Sequence, residues 1–207
     1  LELSGRPDGK RPHGYESLLD YYLAQKEEAE NSPIGGEGWS LDSDACGELK
    51  QEAMQYYYRY LSLFHLGEYQ SVIRDTSRNV AVFDLIRDFA EEESDRVSAE
   101  PFRPYVLMMV ARALACISLE EKDFDVALEL ISEGVGRIME FLRDVGREDM
   151  ISQCREIQFL EEWSDRIRSN RPLTPADRLR RELSRAVEKE DYESAALIRD
   201  RIRELAA

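Results

Sequence analysis

The densest concentration of chemically capable side chains is the run Gln55-Tyr56-Tyr57-Tyr58-Arg59-Tyr60, with Glu52 one turn before it and Arg74 and Arg78 in the next segment. At 3.6 residues per turn, four tyrosines in five positions go round a helix, so they cannot all face one core. Two readings are open. In the first, Tyr56, Tyr57 and Tyr60 pack between helix layers with their hydroxyls at the rim. In the second, Tyr57, Arg59, Tyr60, Arg74 and Arg78 line a groove that recognises a peptide or a nucleobase by stacking. The polar stretch Arg74-Asp75-Thr76-Ser77-Arg78-Asn79 would face that groove from an antiparallel neighbour, or form the solvated side of its helix. A deep pocket on which Arg59, Arg74 and Glu52 converge would favour a ligand-binding protein or an enzyme.

Other catalytic constellations are missing from the sequence. His13 and His65 are the only histidines. His65 falls at a helix end, where an imidazole serves the carbonyls and the dipole. No Ser/His/Asp set can be placed, because no strand-to-helix nucleophile elbow is present. Di-iron helical bundles need Glu-x-x-His on two helices, and zinc needs four close Cys or His ligands; neither pattern occurs. Gly35-Gly36-Glu37-Gly38 lacks the Lys-Ser/Thr and the preceding strand of a phosphate-cradling loop. The expectation is a non-enzymatic chain with no catalytic residue, no metal and no cofactor.

Bulk properties narrow the partners. The chain has 207 residues, 43% of them hydrophobic, which suits a folded core. Its formal net charge is −15, with 28 basic against 43 acidic residues. A duplex-binding surface needs clustered Lys and Arg to displace counterions, so direct nucleic-acid binding is not expected. The one basic concentration is Arg178, Arg180, Arg181 and Arg185. Cys46, Cys116 and Cys154 are odd in number and widely spaced, as in reduced buried thiols of a cytoplasmic protein. No apolar run long enough for a bilayer and no signal-peptide core are read, so no membrane association is expected.

The elements that would position these residues are helices. Residues 1–14 carry Gly5, Pro7, Gly9 and Pro12 and read as an extended arm. Helical periodicity follows over Tyr15–Glu30, then over Ser43–Phe64 with Leu49, Ala53, Tyr56, Tyr57, Tyr60, Leu61 and Phe64 on one stripe. A further helix starts near Glu68. Acidic Glu91–Asp95 marks a boundary, and Pro101 and Pro104 open the next helix. Asp123 is placed to cap another. Asn31–Gly38 is the clearest loop, and Glu148–Asn170 a last body helix. No stretch alternates with period two. The chain reads as all-α with about eight helices: a body at 15–170, a Pro-containing linker at 171–175 and a terminal helical hairpin at 176–207. Thr174 is placed to cap the first tail helix, with Pro175 in its first turn and Asp177 three residues on.

Three joints look alike: Leu66-Gly67-Glu68-Tyr69, Glu121-Lys122-Asp123-Phe124 and Glu190-Asp191-Tyr192. Each sets an aromatic just after a tight joint and a small or β-branched residue three positions later. This resembles the joint of tetratricopeptide-type hairpins, although the aromatics are unevenly spaced. The expectation is a body of stacked antiparallel helical hairpins of that kind, which serve as binding scaffolds.

The tail has two amphipathic halves meeting at Glu188–Asp191, with eight basic and eight acidic side chains between Asp177 and Leu205. Its residues Tyr192, Ala195, Ala196, Ile198, Arg199, Asp200, Ile202 and Leu205 resemble the UVR motif, the interaction hairpin shared by UvrB and UvrC of nucleotide excision repair, with Ile198 where Leu is usual. The resemblance implies protein–protein interaction through a helical hairpin, with self or with another protein, in DNA repair or protein quality control. It implies no excision nuclease. Leu183, Val187, Tyr192, Ala195, Ala196, Ile198, Arg199, Ile202 and Leu205 are the expected interaction face.

Overall fold

The computed structural model describes residues 2–32, 38–172 and 175–205. Gly35 and Gly36 of the glycine-rich loop, and the expected cap Thr174, lie outside the described residues. The chain forms two compact units, Leu1–Asp165 and Arg166–Ala207.

The first unit holds α1 (Leu18–Glu30), α2 (Ser43–His65), α3 (Tyr69–Phe89), α4 (Glu93–Arg96), α5 (Arg103–Glu120), α6 (Phe124–Asp144) and most of α7 (Arg155–Asn170). The second holds the last turn of α7 with α8 (Pro175–Glu188) and α9 (Tyr192–Leu205). Among the described residues there is no strand, and the fold is all-α. Among the described residues the single-turn α4 adds a ninth helix to the eight expected. It lies inside the acidic stretch read as a boundary, where Glu93 and Asp95 suit the positive end of a helix.

In the first unit α2 packs on α3, α3 on α5, and α5 on α6. The core runs through Leu18, Leu41, Leu49, Ala53, Val82, Phe83, Ile86 and Val106. Leu41 and Ala90 form an isolated bridge, with Leu41 N–H donating to Phe89 O at 2.8 Å and Glu91 N–H to Leu41 O at 2.9 Å. This ties the start of α2 to the end of α3. Asp42 caps α2 by accepting from Ala45 N–H at 2.8 Å.

The expected absence of any apolar run long enough for a bilayer needs correction. By length and composition alone, Glu93–Glu120 is long and apolar enough. The reason lies in its position: α5 touches both α3 and α6, and Val106, Met108, Met109, Val110, Ala111, Ala113 and Ala115 are buried around it. A helix covered on several sides must be apolar on several sides.

The similarity of the three joints is carried through to atomic detail. Gly67, Lys122 and Glu190 have φ of 79°, 63° and 58°. The next N–H reaches back five residues in each: Glu68 to Leu63 O at 2.9 Å, Asp123 to Ser118 O at 2.8 Å, Asp191 to Ala186 O at 2.9 Å. This is the left-handed close that satisfies orphan carbonyls at a helix end. Asp123 and Asp191 then cap the following helix, each accepting at 3.1 Å, from Val126 and Ser194 N–H respectively.

Candidate functional site

Two carboxylates are buried where α2 and α3 face each other. Glu52 and Asp75 are both 0% exposed, and Arg59 is 2% exposed. Arg59 clamps Asp75 bidentately, Nε to Oδ2 at 2.6 Å and Nη2 to Oδ1 at 2.7 Å, and Arg74 Nε adds a third bond at 3.0 Å. Glu52 accepts from the Leu18 N–H with both oxygens, at 3.1 and 3.0 Å, so it serves the N-terminal end of α1. Arg78 donates to it as well, and Arg6 Nε lies 3.2 Å away. The Tyr56 ring meets two guanidiniums, Arg59 at 4.7 Å and Arg78 at 3.8 Å from its centroid.

The arginines also hold the arm. Arg59 Nη1 donates to Glu2 O at 3.0 Å and Gly5 O at 2.8 Å, and Arg74 Nη2 to Leu3 O at 3.0 Å. The arm expected to be extended is folded instead. Glu2 N–H donates to Pro7 O at 3.1 Å, Gly9 N–H to Arg6 O at 2.9 Å, and Pro12–Gly14 makes a short 3-10 turn. Backbone carbonyls need donors once desolvated, and the buried guanidiniums have donors beyond those their carboxylates use.

The single groove expected from Tyr57, Arg59, Tyr60, Arg74 and Arg78 is therefore two places. Arg59, Arg74 and Arg78 line a shallow concavity of about 180 Å³ with Asp75, Tyr56 and Gly5. Tyr57 and Tyr60 line a separate cavity of about 630 Å³ with Tyr105, Phe83, Phe102, Asn79 and Glu156. The helix explains the division: residues 56 and 59 share a face, while 57 and 60 lie about 100° further round. Burial pushes the Tyr60 and Tyr105 phenols up, each helped by Tyr57 nearby.

Arg59 and Arg74 do converge, on Asp75 and on carbonyls of the arm, while Glu52 meets the Leu18 N–H, Arg78 and Arg6 instead. A signal was present. Glu52 falls on the apolar stripe of Leu49, Ala53 and Tyr56, and Asp75, Thr76 and Asn79 fall on that of Val72, Val82 and Phe83. A charge on a core stripe needs a buried partner.

Outside these places, His65 Nδ1 donates to Leu61 O at 2.9 Å, given the matching tautomer, and His13 stacks on Tyr21 at 4.0 Å. All three cysteines are free. Burial pushes the Cys46 thiol up to about 11, with Asp95 adding to it. No group of three His, Cys, Asp or Glu among the described residues could hold a metal.

In the second unit α8 and α9 pack together as a helical hairpin. Ala186 and Ala195 are buried, while Leu179, Leu183, Ile198 and Ile202 are half-buried. These residues recur every three or four positions, as a seam requires. Val187, Tyr192 and Leu197 stand out at 50%, 68% and 68% exposure, with Ala196 and Arg199 exposed beside them. Arg199 pairs with Asp200 at 3.1 Å. The side chain of Leu205 lies outside the described residues.

Residues 175–207 match the UvrB/uvrC motif, UVR. The matched segment is the α8–α9 hairpin and covers about a sixth of the chain. In UvrB and UvrC this motif is a protein–protein interaction element, so the match supports an interaction role for the UVR hairpin in general terms. No curated protein and no solved structure matches the chain. The expected interaction face divides in the UVR hairpin: Leu183, Ala195, Ile198 and Ile202 go to the seam, while Val187, Tyr192, Ala196 and Arg199 are open. Leu197, which the sequence reading left out, joins the open set.

Proposed function

We propose that this protein is a non-enzymatic, cytoplasmic adaptor that engages a protein partner through its UVR hairpin, in a setting related to UvrB/UvrC-type DNA repair. The helical-hairpin body, of tetratricopeptide-like kind, serves as the scaffold that carries it. The observation that carries this reading is the UVR match on a hairpin whose Val187, Tyr192 and Leu197 remain exposed. Large apolar side chains left exposed on a short hairpin suit an interaction surface. Each contributes on the order of 1–2 kcal/mol when covered, and a tyrosine anchor suits the centre of an interface.

The test uses the exposed residues, because charges at Ile198 and Ile202 would open the seam itself. The full chain and a Tyr192→Asp/Leu197→Asp variant are offered separately to tagged UvrB, tagged UvrC and a tagged second copy of this chain. Capture by at least one of them, lost in the variant with helicity retained, is the expected result. Capture by none, or equal capture of the variant, overturns the reading.

A further inference from the structure

The cavity of about 630 Å³ lies among α2, α3, the turn Glu100–Phe102 and the start of α5, all within the first unit. Its volume is that of a small-molecule site. Aromatic rings make up a large part of its wall: Tyr57, Tyr58, Tyr60, Tyr105, Phe83 and Phe102. Tyr57 meets Tyr60 at 5.4 Å, edge to face, and Tyr105 at 6.0 Å. The exposed side chains Met54, Tyr58 and Phe102 also line it and place its mouth at the surface.

One polar group on this wall lacks a counter-charge. Glu156 is half-buried; its carboxylate accepts from the Cys154 thiol at 3.3 Å and meets no cationic side chain among the described residues. Lys50 also lines the cavity, but its Nζ is tied to Asp95 at 3.1 Å and Ser98 at 3.0 Å. Arg112 is held over the Phe64 and Phe159 rings, at 4.4 and 4.8 Å.

A carboxylate without a cation and a ring-lined wall share one complement. We propose that this cavity binds a small organic cation: an ammonium group on a flat apolar body. The ammonium meets Glu156 and the π-faces, where a partly desolvated cation gains most. The body replaces water against the rings. A net charge of −15 raises the local concentration of such a ligand. The site is independent of the UVR hairpin, so it stands or falls apart from the adaptor reading.

Tryptamine is the probe, titrated into the full chain by calorimetry and by amide chemical shifts. 3-Ethylindole, neutral, and indole-3-propionate, anionic, keep the ring and change the charge. The expected result is tryptamine binding with shifts at Tyr57 and Asn79, and both controls about tenfold or more weaker, the worth of one charged hydrogen bond. Glu156→Gln lowers tryptamine affinity by about the same factor and leaves 3-ethylindole unchanged. No tryptamine binding up to about 1 mM, anionic probe binding as tightly as amine, or tryptamine affinity unchanged in Glu156→Gln each overturns the proposal.

Discussion

Replacing Asp75 with alanine removes the carboxylate around which α2, α3 and the arm are joined. Asp75 is 0% exposed, and the Arg59 it holds is 2% exposed, with bonds of 2.6 and 2.7 Å. The variant keeps the guanidinium buried, bonded only to the Glu2 and Gly5 carbonyls, and Arg74 loses its 3.0 Å bond. Breaking a buried pair from one side costs about 3–5 kcal/mol, a large share of the roughly 5–15 kcal/mol that holds a typical domain. At about 2–4 °C per kcal/mol for a domain of this size, the midpoint falls by roughly 6–20 °C. Urea unfolding of the full chain, followed by circular dichroism, gives the same quantity from the midpoint shift at constant slope. Arg59→Met/Asp75→Leu leaves neither charge stranded and loses less than Asp75→Ala alone, because the attraction in a buried pair largely offsets its own desolvation. A loss below about 1 kcal/mol for Asp75→Ala would put the pair in the class of surface ion pairs and refute the argument. Losses that simply add in the double variant would refute it equally.

Two further outcomes follow from packing and from titration. Gly134 on α6 faces α5 so closely that an added Cβ would overlap the Cβ of Ala111, with Leu160 Cδ1 at 3.6 Å; Gly134→Ala therefore destabilises by about 1–3 kcal/mol from overpacking, less the ~1 kcal/mol that alanine regains in a helix, and a thermal midpoint at or above that of the parent contradicts the close approach. Burial raises the Tyr22 phenol from 10.0 to about 12, with Glu48 and Asp42 adding to it, and the Cys46 thiol from 9.0 to about 11. Folding thus favours the protonated forms, so this stability is complete below about pH 9 and is lost as pH rises through 11 to 12. The helical signal should decline over that window together with a late rise in tyrosinate absorbance; tyrosines that all ionise near pH 10 with helicity intact would show that burial does not hold their protons.

The helices and their joints were legible in the sequence because both depend on neighbours along the chain. Apolar residues at three- and four-residue spacing define α2 and α6, Asp123 caps α6, and Gly67 ends α2 where a left-handed residue is needed. The UVR hairpin was legible for the same reason: its two amphipathic halves and its acidic joint lie within some thirty consecutive residues, the stretch that also carries the motif match. What the tertiary structure alone decided is which face each residue meets. Tyr56 and Tyr57 are adjacent in sequence, yet one meets the guanidiniums of Arg59 and Arg78 and the other lines the cavity with Tyr105. The separation of Arg59 and Asp75 by 16 positions, and of Arg59 and Gly5 by 54, puts those pairings beyond any local pattern. Single-element periodicity says which side of a helix is buried. It does not say whether the neighbour there is a leucine or a carboxylate, and that difference separates a plain core from a charged clasp and an aromatic cavity.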